Sequence, residues 1–163
     1  MVASLEVKGT IVESACTLEM MSEDQTVHLG SIASYVLTRF AGEAEPVVFH
    51  LLLRDCGRWG GIARDATYGN NLTWVPGQQT VSITFNSEQQ QGGLIAVKGP
   101  ARGLALRLED RQHRQLRPGV QSQAQILTPG DNRLTFYVIP QRTAERLILG
   151  AFYAVVNFQL NYD

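Results

Sequence analysis

Alternation with a period of two dominates the chain. Val81, Ile83 and Phe85 alternate with Thr80, Ser82 and Thr84; Leu104, Leu106 and Leu108 with Ala105, Arg107 and Glu109; Leu134, Phe136 and Val138 with Arg133, Thr135 and Tyr137. Successive side chains of a strand point to opposite faces, so each run predicts a half-buried strand. The cleanest run places Phe152, Ala154, Val156, Phe158, Leu160 and Tyr162 on one face and Asn157, Gln159 and Asn161 on the other. Val47 to Arg54 is apolar at both parities, which predicts a strand buried on both faces near the middle of a sandwich. Turn signals separate the runs at Gly60-Gly61, Asn70-Asn71, Pro76-Gly77, Gly92-Gly93, Pro118-Gly119 and Pro129-Gly130-Asp131-Asn132. Ile32 to Phe40 predicts a short turn or helix. Regularly spaced short strands punctuated by Gly and Pro argue for an all-β sandwich. Residues 57 to 77 lack periodicity and read as a long surface loop holding Trp59, Tyr68 and Trp74.

The start of the chain changes parity. Ala3, Leu5, Val7, Gly9 and Ile11 share one face, with Ser4, Glu6, Lys8 and Thr10 on the other; the apolar set then resumes as Val12, Ser14, Cys16 and Leu18. One continuous strand does not change its buried face midway, so either a bulge sits at Ile11-Val12 or two segments with different roles meet there.

Composition narrows the function classes. The chain has 163 residues, 44% of them hydrophobic and 18% charged, a size that suits one domain with a real core. With 14 basic against 15 acidic residues there is no excess to neutralise phosphates, so nucleic acid is not an expected partner. The longest apolar runs, Val47 to Leu53 and Leu147 to Val156, fall short of the roughly 20 residues of a spanning helix, and no membrane span is expected. The first residues lack the basic start and apolar block of an intact secretory signal, which leaves a cytosolic chain or a mature secreted form. Cys16 and Cys56 lack the C-x-x-C spacing or the His neighbours of a zinc or redox site; they suit either one structural disulfide in an oxidising compartment or two unrelated buried thiols.

Candidate chemistry is thin. His28, His50 and His113 are scattered, and no G-x-S-x-G elbow, phosphate-cradling glycine loop or H-E-x-x-H string occurs. Glu109 and Asp110 read as a solvated strand edge. Arg107, Arg111, Arg114 and Arg117 read as a polar hairpin rather than an anion site, being diluted by those carboxylates. Asn71-Leu72-Thr73 matches a glycosylation sequon, a signal common by chance. No catalytic residue, metal ligand or cofactor is expected, and the chain does not read as an enzyme.

Four strings carry a resemblance to a known family. Leu5-x-Val-x-Gly-x-Ile-Val-x-x-Ala-Cys16-Thr-Leu followed by Asp24-Gln-Thr-Val-x-Leu-Gly30 resembles the opening of chaperone-usher pilus subunits, the pilins of type 1 and P pili. Phe49-x-Leu-x-Leu-Arg-Asp-Cys56 resembles their second strand, and Gly103-Leu-Ala-Leu-x-Leu-x-Asp110 with Leu116-x-Pro-Gly119 their middle strand and turn. Gly150-Ala-Phe-x-Ala-Val-x-Asn-Phe-x-Leu-x-Tyr162 resembles their C-terminal signature. The strings run in the family's order, nearly end to end.

The resemblance implies an incomplete immunoglobulin-like β-sandwich that lacks its last strand, completed by a donor strand from a neighbouring subunit or chaperone. Residues 1–13 would be an N-terminal donor-strand extension and residues 14–163 the pilin domain. Ala3, Leu5, Val7, Gly9 and Ile11 would enter a neighbour's groove. Phe152, Ala154, Val156, Phe158, Leu160 and Tyr162 would line this chain's own acceptor groove and pair with the chaperone during delivery. Cys16 and Cys56 would form a disulfide tying the first strand to the second. The implied function is a structural subunit of an adhesive pilus, rod or minor, polymerising non-covalently. The implied partners are copies of itself or other subunits, a periplasmic chaperone and an outer-membrane usher; the implied place is the cell-surface pilus, reached through the periplasm. Two other readings stand beside it: a base terminator of the same family, and a free-standing carbohydrate-binding sandwich that uses Trp59, Tyr68 and Trp74, with its N-terminal segment paired within its own chain.

Overall fold

A computed structural model describes residues 2–11, 15–39, 42–57, 60–65, 71–76 and 79–163, with backbone alone at residues 10–11, 39, 60–65 and 71–76. Among these residues the alternating runs become strands of two facing sheets and a separate hairpin. The first sheet has the order β12 (Gln125–Ile126), β7 (Thr80–Asn86), β14 (Phe152–Tyr162), β1 (Val2–Ile11) and β3 (Asp24–Ser31). The second has the order β2 (Thr17–Leu18), β4 (Val47–Cys56), β13 (Gly130–Arg142), β10 (Leu104–Asp110), β9 (Leu94–Ala96) and β8 (Gln90–Gln91), with β11 (Gln115–Leu116) also paired to β10. Two short helices, α1 (Met20–Glu23) and α2 (Ser34–Arg39), flank β3 in the sequence. The second fulfils the expectation of a turn or helix over Ile32 to Phe40.

The core forms where the apolar faces meet. Phe85 and Phe158 come from the first sheet, Phe49 and Phe136 from the second. Their ring centroids lie 5.2 Å (Phe85–Phe136), 5.5 Å (Phe49–Phe136), 6.2 Å (Phe85–Phe158) and 6.3 Å (Phe49–Phe85) apart. Edge and tilted packings of this kind are favourable beyond the area they bury. Register keeps the faces in step: Phe136 pairs with Phe49, Leu134 with Leu51, and Leu108 with Val138. The outer edge of β7 is closed by the run 119–127, whose Gly119, Ser122 and Leu127 N–H groups donate to the carbonyls of Phe85, Ile83 and Gln79 at 2.7, 2.8 and 2.9 Å.

Three expectations change. Val47 to Arg54 is not buried on both faces: Phe49, Leu51 and Leu53 are buried, Val48 is exposed, and His50 and Leu52 are half-buried. α1 meets the edge of β4 instead of roofing its outer face, its buried Ser22 accepting the Leu52 N–H on Oγ at 2.8 Å. The segment 57–77 is not a structureless loop, because β5 (Gly60–Asp65) and β6 (Asn71–Pro76) pair antiparallel as a hairpin, and Gly60-Gly61 lies in a strand rather than a turn. Glycine and mixed polarity hid the period there. Glu109 and Asp110 are not a solvated edge, their side chains being only 13% and 14% exposed. Each is drawn down by an arginine: Arg107 Nε donates to Glu109 at 3.0 Å and Arg114 Nε to Asp110 at 2.8 Å.

Candidate functional site: the N-terminal strand and its groove

The parity break near Ile11 separates two strands in two different sheets. β1 ends at Ile11 in the first sheet; β2 begins at Thr17 in the second. The residues at the break, 12–14, lie outside the described residues, and so do the side-chain parities of Val12 and Ser14.

β1 lies between β14 and β3, the place the resemblance leaves empty for a donor. It is this chain's own strand that fills it. β1 runs parallel to β14, pairing Ala3 with Phe152, Leu5 with Ala154, Val7 with Val156, Gly9 with Phe158 and Ile11 with Leu160. It runs antiparallel to β3, pairing Leu5 with Val27 and Lys8 with Asp24. Ala3 is 3% exposed and Leu5 and Val7 are 0%, while Val2, Ser4, Glu6 and Lys8 face outward, with a Glu6–Lys8 ion pair at 3.3 Å. The groove wall behind them is Phe152, Ala154, Val156, Phe158 and Leu160, all buried, with Tyr162 half-buried at the end. Burial pushes the Tyr162 phenol pKa up, and its hydroxyl has no hydrogen-bond partner among the described residues. The side chain of Ile11 lies outside the described residues.

Gly9 has a steric reason. A Cβ placed there would stand 2.1–2.3 Å from three ring carbons of Phe158, far inside contact distance. Phe158 therefore lies across the bare backbone of β1 and passes the contact on to Phe85 and the aromatic core. Only a glycine on the inserted strand allows that ring position.

The direction of β1 follows from its tether. Ala15 is fixed by the Gly57 N–H, which donates to its carbonyl at 3.2 Å, and Cys16 is fixed by a disulfide to Cys56 with the Cα atoms 4.1 Å apart. From Ile11 to Ala15 the chain reaches at most about 14 Å. Were β1 reversed in its own groove, Ile11 would sit beside Phe152, roughly 27 Å along β14 from Leu160 at the usual rise per residue. Within one chain only the parallel direction reaches.

Sequence reading missed the surround of this groove. α1 is a four-residue helix, too short to show a period, and it sets Met20 and Glu23, with Asp24 at the start of β3, around a cavity with Lys8, Gly9, Asn157 and Phe158. Met20 is 82% exposed beside it.

The other candidates are not brought together. Trp59 and Tyr68 lie outside the described residues, and of Trp74 only the backbone pairing with Ile62 is described. Arg107 is held by Glu43 at 2.6 Å, by Glu109 and by Gln141, and Arg114 by Asp110, Gln112 and Gln123. The Glu43 carboxyl is held below its ordinary pKa by its hydrogen bond from Arg107. His28 sits on β3 opposite Ser4, and His50 on β4 contacts Thr135 Oγ1 at 3.2 Å. His113 occupies a turn at φ 63°, stacked on Tyr137 with ring centroids 4.6 Å apart. Among the described residues no group of His, Cys, Asp and Glu could hold a metal ion, and no helix is long and apolar enough to cross a membrane.

Comparison with known proteins follows the same line. The family model described as fimbrial protein matches residues 5–163. The major MR/P fimbria protein of Proteus mirabilis (strain HI4320) is 28% identical over 156 residues, 95% of this chain and 81% of that protein. The PRS fimbrial major pilin protein of Escherichia coli is 29% identical over 163 residues, 95% of this chain and 91% of that protein. Among solved structures, the P pilus rod subunit PapA superposes with a TM-score of 0.71 at 23% identity, covering 92% of this chain and all of that one, a likeness of fold.

Proposed function

Because the chain belongs to the fimbrial protein family, matched over residues 5–163, we propose that it polymerises by donor-strand complementation. That it is a structural subunit of a surface pilus, with other subunits as partners, follows from the family, which is structural rather than enzymatic. The finer reading is that β1 leaves its own groove and fills the β3–β14 groove of the next copy. Ala3, Leu5, Val7, Gly9 and Ile11 are the donor residues. Phe152, Ala154, Val156, Phe158, Leu160 and Tyr162 line the acceptor. Residues 1–13 then form the extension and 14–163 the pilin domain.

One observation carries this reading: a strand joined to the rest of the domain only through residues 12–14 buries Ala3, Leu5 and Val7 in a groove wall made by β14 and β3. Burying Leu5 and Val7 contributes roughly 3 to 6 kcal/mol before ordering costs, at about 1.5 to 3 kcal/mol each. An empty groove exposes that wall to water. A periplasmic chaperone that lends a strand, and an outer-membrane usher at which the exchange occurs, answer that exposure, so the subunit reaches the surface by way of the periplasm. The chain has both a donor and a groove, which favours an internal rod or minor subunit over a base terminator that accepts no strand.

The test is thermal unfolding of the oxidised chain lacking residues 1–13, with and without excess peptide covering residues 1–13. A ligand at a thousand times its Kd stabilises by about 4 kcal/mol, so a large upward shift after hours to days of exchange is expected. A truncated domain that is already stable and ignores the peptide would sink the reading. The second reading, a free-standing carbohydrate-binding module, is favoured by one observation, the closure of the groove by the chain's own strand. It requires β1 to stay there and Trp59, Tyr68 and Trp74 to form a stacking platform.

A further inference from the structure

The parallel direction of β1 opens a second way for two copies to share strands. We propose that the chain forms a closed, two-fold symmetric dimer in which each copy's β1 fills the other's groove in the parallel register seen within one chain. The contacts of β1 argue for it. Its ladder partners are β14 and β3, and its neighbour across the Gly9 cavity is α1. All three belong to the groove-bearing part of the chain, so a second copy supplies the same contacts unchanged.

The tether decides the geometry of exchange. Ala15 and Cys16 are fixed on the second sheet by Gly57 and Cys56, so the exchangeable piece is bounded at residue 15 and no longer segment can follow it. β1 enters and leaves its groove at the Ile11–Leu160 end, the same end at which its own chain continues. A strand that keeps the parallel register in a second copy also leaves at that copy's Ile11–Leu160 end. The two copies then meet by the same end of the molecule, an isologous contact that closes on itself. Reversing the strand places its exit at the Phe152 end of the acceptor instead. The contact becomes head-to-tail, and the assembly is an open chain. The polarity of one ten-residue strand thus separates a closed pair from a fibre.

Because groove contacts are the same in the monomer and the swapped dimer, the balance is set by the effective concentration of the tethered strand, about millimolar for short links. Exchange requires withdrawing Ala3, Leu5 and Val7 from full burial, so each form persists once made. This dimer requires only the groove and tether described above, and stands whether or not the chain donates β1 in a pilus.

The experiment uses the full chain carrying Lys8→Cys and Asn157→Cys. These positions are register partners on the exposed outer face, and they lie in one chain in the monomer but in two in the swapped dimer. The protein is unfolded in guanidinium with its native disulfide intact, at about pH 5 where protonated thiols exchange slowly. It is then refolded at about 1 μM or about 1 mM in line with the expected balance, diluted, sized by light scattering and oxidised. Refolding at the higher concentration is expected to give a dimer that survives dilution for hours and oxidises to a covalent dimer; the lower gives a monomer with an internal bridge. The unsubstituted chain is sized in parallel, so a folding defect in the variant does not decide the matter. Monomer alone from both proteins at the higher concentration overturns the proposal. A ladder of trimers and longer species also overturns it, while supporting head-to-tail donation. So does a dimer that fails to bridge at these positions but bridges with Lys8→Cys and Gln159→Cys, the pair a reversed strand makes when Gly9 stays opposite Phe158.

Discussion

β1 and β14 lie side by side with the same pattern: alternate residues fully buried, the others in water. They differ in what holds them. β14 pairs antiparallel with β7, and beyond it Asp163 and Thr80 exchange both main-chain hydrogen bonds at 3.0 Å. The parallel ladder between them is common to both, and β1 has its own antiparallel partner in β3; what sets β1 apart is that it is joined to the domain only through residues 12–14. Burial measures how strongly a strand is held, not whether it belongs to one chain for good. Tether and direction decide that.

The largest effect tests the anchor of that tether. The Cys16–Cys56 disulfide closes a loop with a sequence separation of 40. On the chain-entropy model its removal costs roughly 4 kcal/mol. The double variant Cys16→Ala with Cys56→Ala is expected to lose that much in guanidinium unfolding, and to lose the fixed point that confines β1 to the parallel direction. A loss well under about 2 kcal/mol, below the usual range for a native disulfide, would show that the Ala15–Gly57 hydrogen bond and the β2–β4 pairing anchor the tether without it.

Next come two truncations of equal chemistry. Leu5→Ala in β1 and Leu160→Ala in β14 each remove a fully buried leucine and should each cost about 2–5 kcal/mol. Added peptide covering residues 1–13 should restore the first variant and leave the second unrepaired, since only β1 has a replacement that can arrive from outside. Equal rescue of both, or of neither, in thermal unfolding would erase the distinction between the two strands.

Gly9→Ala sharpens the comparison at a single contact. The added Cβ meets the Phe158 ring, and overpacking of this kind typically costs about 1–3 kcal/mol. In a Phe158→Ala background the same change should cost far less, and the double-mutant cycle measures the coupling. Additivity would mean the ring does not lie over β1.

Much of this was legible in the sequence because a sandwich strand announces its buried face by a period of two. The faces of β7, β10, β13 and β14 emerge from Val81, Leu104, Leu134, Phe152 and the residues alternating with them. The inward face of β1 at Ala3, Leu5 and Val7 was equally plain. Period states which side of a strand is buried but not against which copy, so the filling of the groove by its own chain could not be read from residues 3–11. What the short stretch to Ala15, set against the length of β14, makes readable is the direction of β1 within one chain. The hairpin β5–β6 was hidden by glycines that signal turns, and the covering of Glu109 and Asp110 by the fact that carboxylates usually mark solvent. In both places tertiary partners outweighed local character. Arg107 and Arg114 come from the same stretch, but that they reach those acids is a property of the fold.

The smallest expected effect locates acid sensitivity away from the groove. Burial, with Arg133 nearby, lowers the pKa of His50, and the hydrogen bond from Arg107 lowers that of Glu43. A group whose folded pKa is depressed binds protons more readily when unfolded, so its contribution is complete above the unfolded value and lost as pH falls through the folded one. Stability should therefore decline in two shallow steps, one below about pH 6.5 from His50 and one below about pH 4.3 from Glu43. His50→Gln should remove the upper step and Glu43→Gln the lower, read as midpoint temperature against pH. His50 belongs to β4 and Glu43 pairs with the outer face of β10, so both steps act on the second sheet. Acid should loosen that sheet while hydrogen exchange of β1 amides stays protected as long as the domain is folded. Preferential exposure of β1 as the pH falls would instead place the sensitive contact in the groove, where Glu6, Lys8, Glu23 and Asp24 are the charged side chains that face it.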